Sequence, residues 1–236
     1  MSKPSAPLAV ITGTSSGIGA AIARRLLRDG WRVCGLDRAP ASIVDPAFQA
    51  VSADLSDGAA TDAVAQQILA VEAPFAFVHA AGLMHTGALG ALDAAAGEHM
   101  WRVHVDAATR LANALLPAMQ AAGRGRVILL SSRVARGLAG RSQYTATKAA
   151  LGALARSWAA EVIAAGITVN LIAPAATDTP MLHAGERASS APMLPPLGRL
   201  IQPDEIAALA AFLLSPDAAA ITGQEIAVCG GSSLPR

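Results

Sequence analysis

LAVITGTSSGIGAAIARRLLRDG, Leu8 to Gly30, is the stretch that decides the fold. It opens with a short apolar run of the kind that makes a buried strand, and it closes with alanine, isoleucine and leucine recurring at helical spacing. Between the two lies TGTSSGIG, Thr12 to Gly19. Gly13, Gly17 and Gly19 permit a tight turn there and let backbone N–H groups approach a pyrophosphate at the positive end of the helix that follows. Ser15 and Ser16 add hydroxyl donors, and Ile18 is placed to pack under a ribose. A glycine-rich turn alone is a weak signal; between a strand and a helix, it has the context a dinucleotide site requires.

The pattern of this stretch continues along the chain. Short runs rich in Val, Ile and Leu alternate with longer alanine-rich segments of helical period, the signature of βαβ units around a parallel sheet. Seven strands are predicted, beginning at Leu8, Arg32, Phe48, Phe75, Arg126, Ile167 and Gln224. Helices are predicted over Gly17–Asp29, Asp57–Leu69, Glu98–Ala122, Ser142–Ala165 and Pro203–Leu214. Gly30, Gly123 and Gly166 fall where helix ends favour glycine. Both patterns lapse at MLHAGERASSAPMLPP, Met181 to Pro196, which reads as a lid over about residues 181–200 or as a long surface loop.

A chain of 236 residues suits one domain, 1–236, with a full core. The apolar fraction of 53% is carried largely by alanine. No apolar run approaches the roughly eighteen residues of a spanning helix, and the opening residues lack a signal-peptide layout. The expectation is a cytoplasmic, soluble protein with no membrane partner. The net charge is +1 and the arginines are scattered, which argues against nucleic acid. The five histidines fall in no metal-binding spacing, so no metal is expected. Cys34 and Cys229 read as small hydrophobes.

The second strand ends in Asp37, where a carboxylate can accept hydrogen bonds from adenosine ribose hydroxyls and repel a 2′-phosphate. This favours NAD over NADP, although the neighbouring Arg38 could pair with such a phosphate. Asp54 and Leu55 end the third strand at the carboxyl edge of the sheet, where they could meet the adenine.

SQYTATK, Ser142 to Lys148, holds the only tyrosine of the chain and one of its two lysines. A helix places residues four apart on one face, so Tyr144 and Lys148 can share a pocket. A neighbouring ammonium favours the phenolate, which makes the tyrosine a usable general acid and base. The protein otherwise uses arginine for its cations, and a retained lysine suggests a need for a compact ammonium. Upstream, Ser131 and Ser132 close the strand VILLSS, and alternation turns only one of them toward the site.

Taken together, TGTSSGIG, the HAAG of His79 to Gly82, the SS pair followed by YTATK, and APAATDT from Ala173 to Thr179 resemble the single-domain short-chain dehydrogenase/reductase family over essentially the whole chain. The resemblance implies a doubly wound Rossmann fold, commonly a homotetramer packed through two long helices; the expected assembly is a homotetramer or homodimer. It also implies a Ser, Tyr, Lys catalytic core. Tyr144 would be the general acid and base, Lys148 would bind the nicotinamide ribose, and a serine would polarise the carbonyl. The usual thirteen-residue separation selects Ser131, whereas the usual choice of the second serine selects Ser132; we prefer Ser132, since deletions fall in loops more readily than registers shift in buried strands. Ala80, Ala81 and Gly82 would cover the cofactor, and Thr177 and Thr179 would hold its carboxamide.

Four positions depart from the family pattern. Ala175 replaces the usual glycine after Pro174, and His79 and Ala80 stand where two asparagines are typical. His104, in WRVHVDA, stands where the family has the asparagine that supports a water relay to the lysine. A histidine there could keep that relay or simply pack. The resulting expectation is an NAD(H)-dependent oxidoreductase that interconverts a secondary alcohol and a ketone; the alternative is a nicotinamide-binding regulatory or scaffold protein that has lost the chemistry. Leu83, Met84, Leu138, Met181, Leu182 and Met193 could line an apolar pocket or be ordinary packing. Arg133, Arg136 and Arg141 could meet an anionic group or lie on a solvated loop.

Overall fold

The computed structural model describes residues 6–184 and 193–235, so the central part of the expected lid, residues 185–192, lies outside the described residues. Seven strands form one parallel sheet among them. These are β1 (Leu8–Thr12), β2 (Arg32–Asp37), β3 (Phe48–Ser52), β4 (Ala76–His79), β5 (Gly125–Leu130), β6 (Ile167–Pro174) and β7 (Glu225–Val228). Their order is β3-β2-β1-β4-β5-β6-β7. The order reverses between β1 and β4, and ligands of open parallel sheets bind at such a switch point, beyond the carboxyl ends of the strands.

The helices are α1 (Gly17–Arg28), α2 (Gly58–Leu69), α3 (Ala94–Trp101), α4 (Ala107–Ala121), α5 (Ser142–Val162), α6 (Pro180–His183) and α7 (Pro203–Leu214). They cover both faces of the sheet. One core sets Val10, Phe77, Val127 and Val169 against α2, α4 and α5. The other sets Ile11, Val78, Ile128 and Ile172 against α1 and α7. Successive residues of one strand thus serve opposite cores, which is why the strands read as unbroken apolar runs. This is the doubly wound Rossmann architecture expected from the sequence.

The helix expected over Glu98–Ala122 differs in two ways. It begins earlier, because the Asp93 carboxylate caps it by accepting from the Ala95 and Ala96 N–H groups at 2.9 and 3.1 Å. It is also interrupted by a turn of π-helix, Arg102–Asp106, between α3 and α4. That turn buries Val103, His104 and Val105 in succession. His104 lies in the middle of that turn, and such turns are rare insertions found most often at functional sites. Cys34 is buried, while Cys229 is only half-buried. No helix among the described residues is long and apolar enough to cross a membrane.

Candidate active site

The glycine turn between β1 and α1 is shaped by contact with backbone. Gly13 has φ 76°, and a Cβ there would lie 2.9 Å from the Ala81 Cα. At Gly19 a Cβ would collide with the Gly13 carbonyl oxygen. Thr12 ties the turn to the end of β4, its Oγ1 accepting from the Ala80 and Ala81 N–H groups at 3.0 and 2.9 Å. α1 begins at Ser16, whose side chain makes no cap hydrogen bond, in contrast to Asp57 and Asp93 on α2 and α3. First-turn amides left in this way, at the positive end of a helix, suit a phosphate.

Asp37 closes this half. Its Oδ2 accepts from the Ser15 N–H and hydroxyl at 3.0 and 2.7 Å, and its Oδ1 from the Ala39 N–H at 2.9 Å. A cavity of about 290 Å³ lies here, bordered by Gly13, Ser15, Ser16, Gly17, Ile18, Gly19, Asp37, Arg38, Asp54, Leu55, Ala80, Ala81, Gly82 and Thr179. Asp54 also holds its own turn. The Ser56 hydroxyl and N–H both donate to its carboxylate, which keeps it below the usual carboxylate range.

A second cavity of about 720 Å³ adjoins the first, sharing Ile18, Ala80, Gly82, Leu83 and Thr179 with it. Ser132, Tyr144, Lys148, His104, Thr177 and Ala175 border it. The helix face read from SQYTATK is present on α5, with Tyr144 and Lys148 both buried and the ammonium nitrogen 5.9 Å from the phenol ring centroid. Lys148 Nζ donates to the Leu130 carbonyl at 2.9 Å. Burial disfavours its charge and pushes it from its ordinary 10.5 to about 7.

The serines separate by alternation. Both border the larger cavity, but Ser131 is buried, and its hydroxyl donates to Glu225 Oε1 on β7 at 3.0 Å, with the Lys148 carbonyl 3.3 Å away. Ser132 is half-buried, borders the cavity and caps the 3₁₀ turn Arg133–Arg136, accepting from the Val134 N–H at 3.4 Å.

Both histidines that stand in place of asparagines are fully buried. His104 Nε2 accepts from the Leu83 N–H at 3.0 Å, so the ring proton is assigned to Nδ1, which donates to Thr147 Oγ1 at 2.8 Å. Thr147 in turn donates to the Tyr144 carbonyl at 2.8 Å. His79 takes the opposite tautomer. The Thr12 hydroxyl, already accepting two N–H groups, donates to Nδ1 at 3.1 Å, and Nε2 donates to the Val103 carbonyl of the π turn at 3.1 Å. Burial first, and then the charge of Lys148, lower His79 to about 3 and His104 well below its ordinary range. Both rings are neutral, and both nitrogens of His104 are engaged within the fold.

All the site residues expected from the sequence thus border one of two adjoining cavities. So do Leu83, Met84, Leu138, Met181, Leu182 and Met193; of the three arginines, Arg133 and Arg141 border the larger cavity and Arg136 is exposed. Sequence reasoning missed Thr12, Thr147 and the Leu130 carbonyl. Thr147 was within reach of it, three residues after Tyr144 on the same helix face. Thr12 was not, because its role depends on the β1–β4 pairing that sets it beside His79.

A family model described as Enoyl-(Acyl carrier protein) reductase matches residues 13–233. The chain is 36% identical over 241 residues to the cis-4-hydroxycyclohexanecarboxylate dehydrogenase of Sinomonas cyclohexanicum, covering 95% of each. Among solved structures it resembles the 3-ketoacyl-(acyl-carrier-protein) reductase from Brucella melitensis complexed with NADH, with TM-score 0.88 and 30% identity over 97% of this chain and 98% of that one. It also resembles an actinorhodin polyketide ketoreductase with NADPH, with TM-score 0.89 and 26% identity over 100% of both.

Proposed function

The chain belongs to the short-chain dehydrogenase/reductase family, an oxidoreductase of CH–OH and keto groups, and on that premise we propose that it interconverts a secondary alcohol and a ketone with NAD(H). The observation that carries the proposal is the convergence of Ser132, Tyr144 and Lys148 on one cavity that opens into the glycine cradle. A nicotinamide dinucleotide fits the cradle, where uncapped α1 amides and close backbone contacts leave room for phosphates and for no side chain. Gly13, Ser15, Ser16, Gly17, Ile18 and Gly19 would hold its phosphates and ribose, Asp37 and Asp54 its adenosine half, and Ala80 to Gly82 with Thr177 and Thr179 its nicotinamide half. When bound, the nicotinamide gives hydride to the carbonyl carbon or takes it from the alcohol carbon.

The protein's own groups handle the oxygen. In reduction the Tyr144 hydroxyl gives its proton to the oxygen of the former carbonyl, and in oxidation it takes that proton back. The Ser132 hydroxyl donates to the same oxygen and stabilises the charge that develops on it. Lys148, with one N–H on Leu130 and two more to offer, stabilises negative charge on the phenolic oxygen and binds ribose hydroxyls. Ser131 is spent on Glu225, which supports Ser132 for this role.

We read His104 as a positioning residue, because neither of its nitrogens is left for a relay water. It fixes the Leu83 N–H beside Gly82 and, through Thr147, the Tyr144 backbone. Asp37 on the cavity wall supports NAD over NADP. The test is Tyr144→Phe, for which turnover falls roughly a thousandfold or more, in line with removal of a general acid, while NADH binding measured by fluorescence holds. A fully active variant would overturn the assignment; unchanged NADH binding with no turnover by the wild type on any alcohol or ketone would favour the regulatory alternative.

A further inference from the structure

We infer that the substrate bears a carboxylate, and that Arg133 and Arg141 are the pair that recognises it; this rests on the dehydrogenase reading above. Apart from Lys148, these two arginines are the charged groups among the described residues bordering the larger cavity, and no acidic side chain joins them there. Neither has a hydrogen-bond or ion-pair partner for its guanidinium among the described residues. Elsewhere among the described residues five arginines, Arg25, Arg32, Arg102, Arg110 and Arg199, each meet a carboxylate, while exposed ones such as Arg28, Arg136 and Arg156 are left to solvent.

Both cavity arginines are half-buried. A guanidinium withdrawn from water without a counter-ion is costly, and a planar carboxylate offsets that cost best because it accepts two parallel N–H groups. Their attachment matters as much as their charge. Arg133 directly follows Ser132 in the 3₁₀ turn that Ser132 caps. Arg141 stands three residues before Tyr144, its carbonyl accepting the Thr145 N–H at 2.8 Å, and its backbone bridges Gly87. The segments that carry the two reacting hydroxyls therefore also carry the two cations. Between them the wall is apolar, with Leu83, Met84, Val134 and Leu138. The ligand that fits is an oxo or hydroxy acid with a compact hydrocarbon body, its anion on the arginines and its carbonyl toward Ser132 and Tyr144.

The test is NADH-linked kinetics on matched ketones: 4-oxocyclohexanecarboxylate, its methyl ester and cyclohexanone, then 4-oxopentanoate, its methyl ester and 2-pentanone. The acids should exceed the esters and neutral ketones in kcat/KM by about 10- to 100-fold, the worth of a charge-assisted hydrogen bond, mainly through KM. Arg133→Met with Arg141→Met should bring the acid-to-ester ratio near unity, and the double lysine variant should keep part of it, with NADH binding confirming a folded protein in each case. Equal turnover of acids and esters by the wild type, or a preference that survives in the methionine variant, overturns the inference. So does turnover of acetoacetyl-CoA above every acid with the same loss in the variant, since the anion would then be a phosphate. If the wild type reduces none of these carbonyls and oxidises none of the matching alcohols, it is the dehydrogenase reading that fails.

Discussion

The two cavities adjoin at one edge of the sheet, yet they are built from different materials. The smaller is mostly backbone and short side chains: the glycine turn, the Ala80–Ala81 amides on Thr12, and a carboxylate whose oxygens hold Ser15. The larger depends on ionisable side chains: the buried Lys148, His104 and Tyr144, and two half-buried, unpaired arginines. Steric fit governs the first and charge governs the second. A change in the first should therefore act on folding and nucleotide binding together, whereas a change in the second can move activity and stability in opposite directions.

The largest effect on nucleotide binding should come from the steric half. Gly19→Ala places a methyl group against the Gly13 carbonyl oxygen, which is backbone and cannot swing aside. We expect nucleotide affinity to fall on the order of 100-fold as the turn opens, together with a lower Tm, both readable by NADH titration and thermal unfolding. Unchanged affinity would mean that this half is more compliant than its contacts imply.

Lys148→Met should show the contrary behaviour. It removes turnover, yet it replaces a buried cation with an apolar chain of similar length. The sign of the pH dependence follows from the protons bound. Between about 7, where the folded lysine titrates, and 10.5, its ordinary value, the unfolded chain holds more protons than the folded one, so stability of the wild type rises with pH across that window. The variant lacks this slope and should be the more stable protein at pH 7. Thermal unfolding from pH 7 to 10 measures it, and a variant less stable than the wild type at pH 7 would sink the argument.

Asp37 belongs to both kinds of region, since its carboxylate orders Ser15 sterically and carries the charge that would repel a 2′-phosphate. Asp37→Asn keeps much of the shape and removes the charge. The NAD-to-NADP ratio of kcat/KM should fall about tenfold, one modest electrostatic contribution, and a ratio that stays fixed would leave discrimination to other groups.

The same division explains what the sequence could show. The cradle was legible to the residue, because only glycine fits at Gly13 and Gly19, and such requirements are local. The sheet was legible because strands serving two cores have no polar face to disguise them. Tyr144 and Lys148 were legible as a pair through helical spacing. The sequence leaves two readings of Ser131 and Ser132, and what supports Ser132 is the Glu225 contact of Ser131, ninety-four residues distant in the chain. The π turn was hidden as well, because it is fixed by what His104 and Val103 meet across the fold, on Thr147 and His79, rather than by any preference of RVHVD.

His104 is where the two regions join, and the smallest effect falls there. His104→Asn retains a group that can accept from the Leu83 N–H and another that can donate to Thr147, but on a shorter side chain. Were the histidine part of a proton relay, the substitution would alter the pH profile of kcat. As a positioning residue it should leave that profile in place, with turnover within about tenfold of the wild type, and lower the Tm, because at least one of the two bonds must lengthen. His104→Leu, which can make neither bond, should cost more on both counts, and that ordering separates positioning from bulk. A changed pH profile in the asparagine variant, with Tm unaltered, would return His104 to the chemistry.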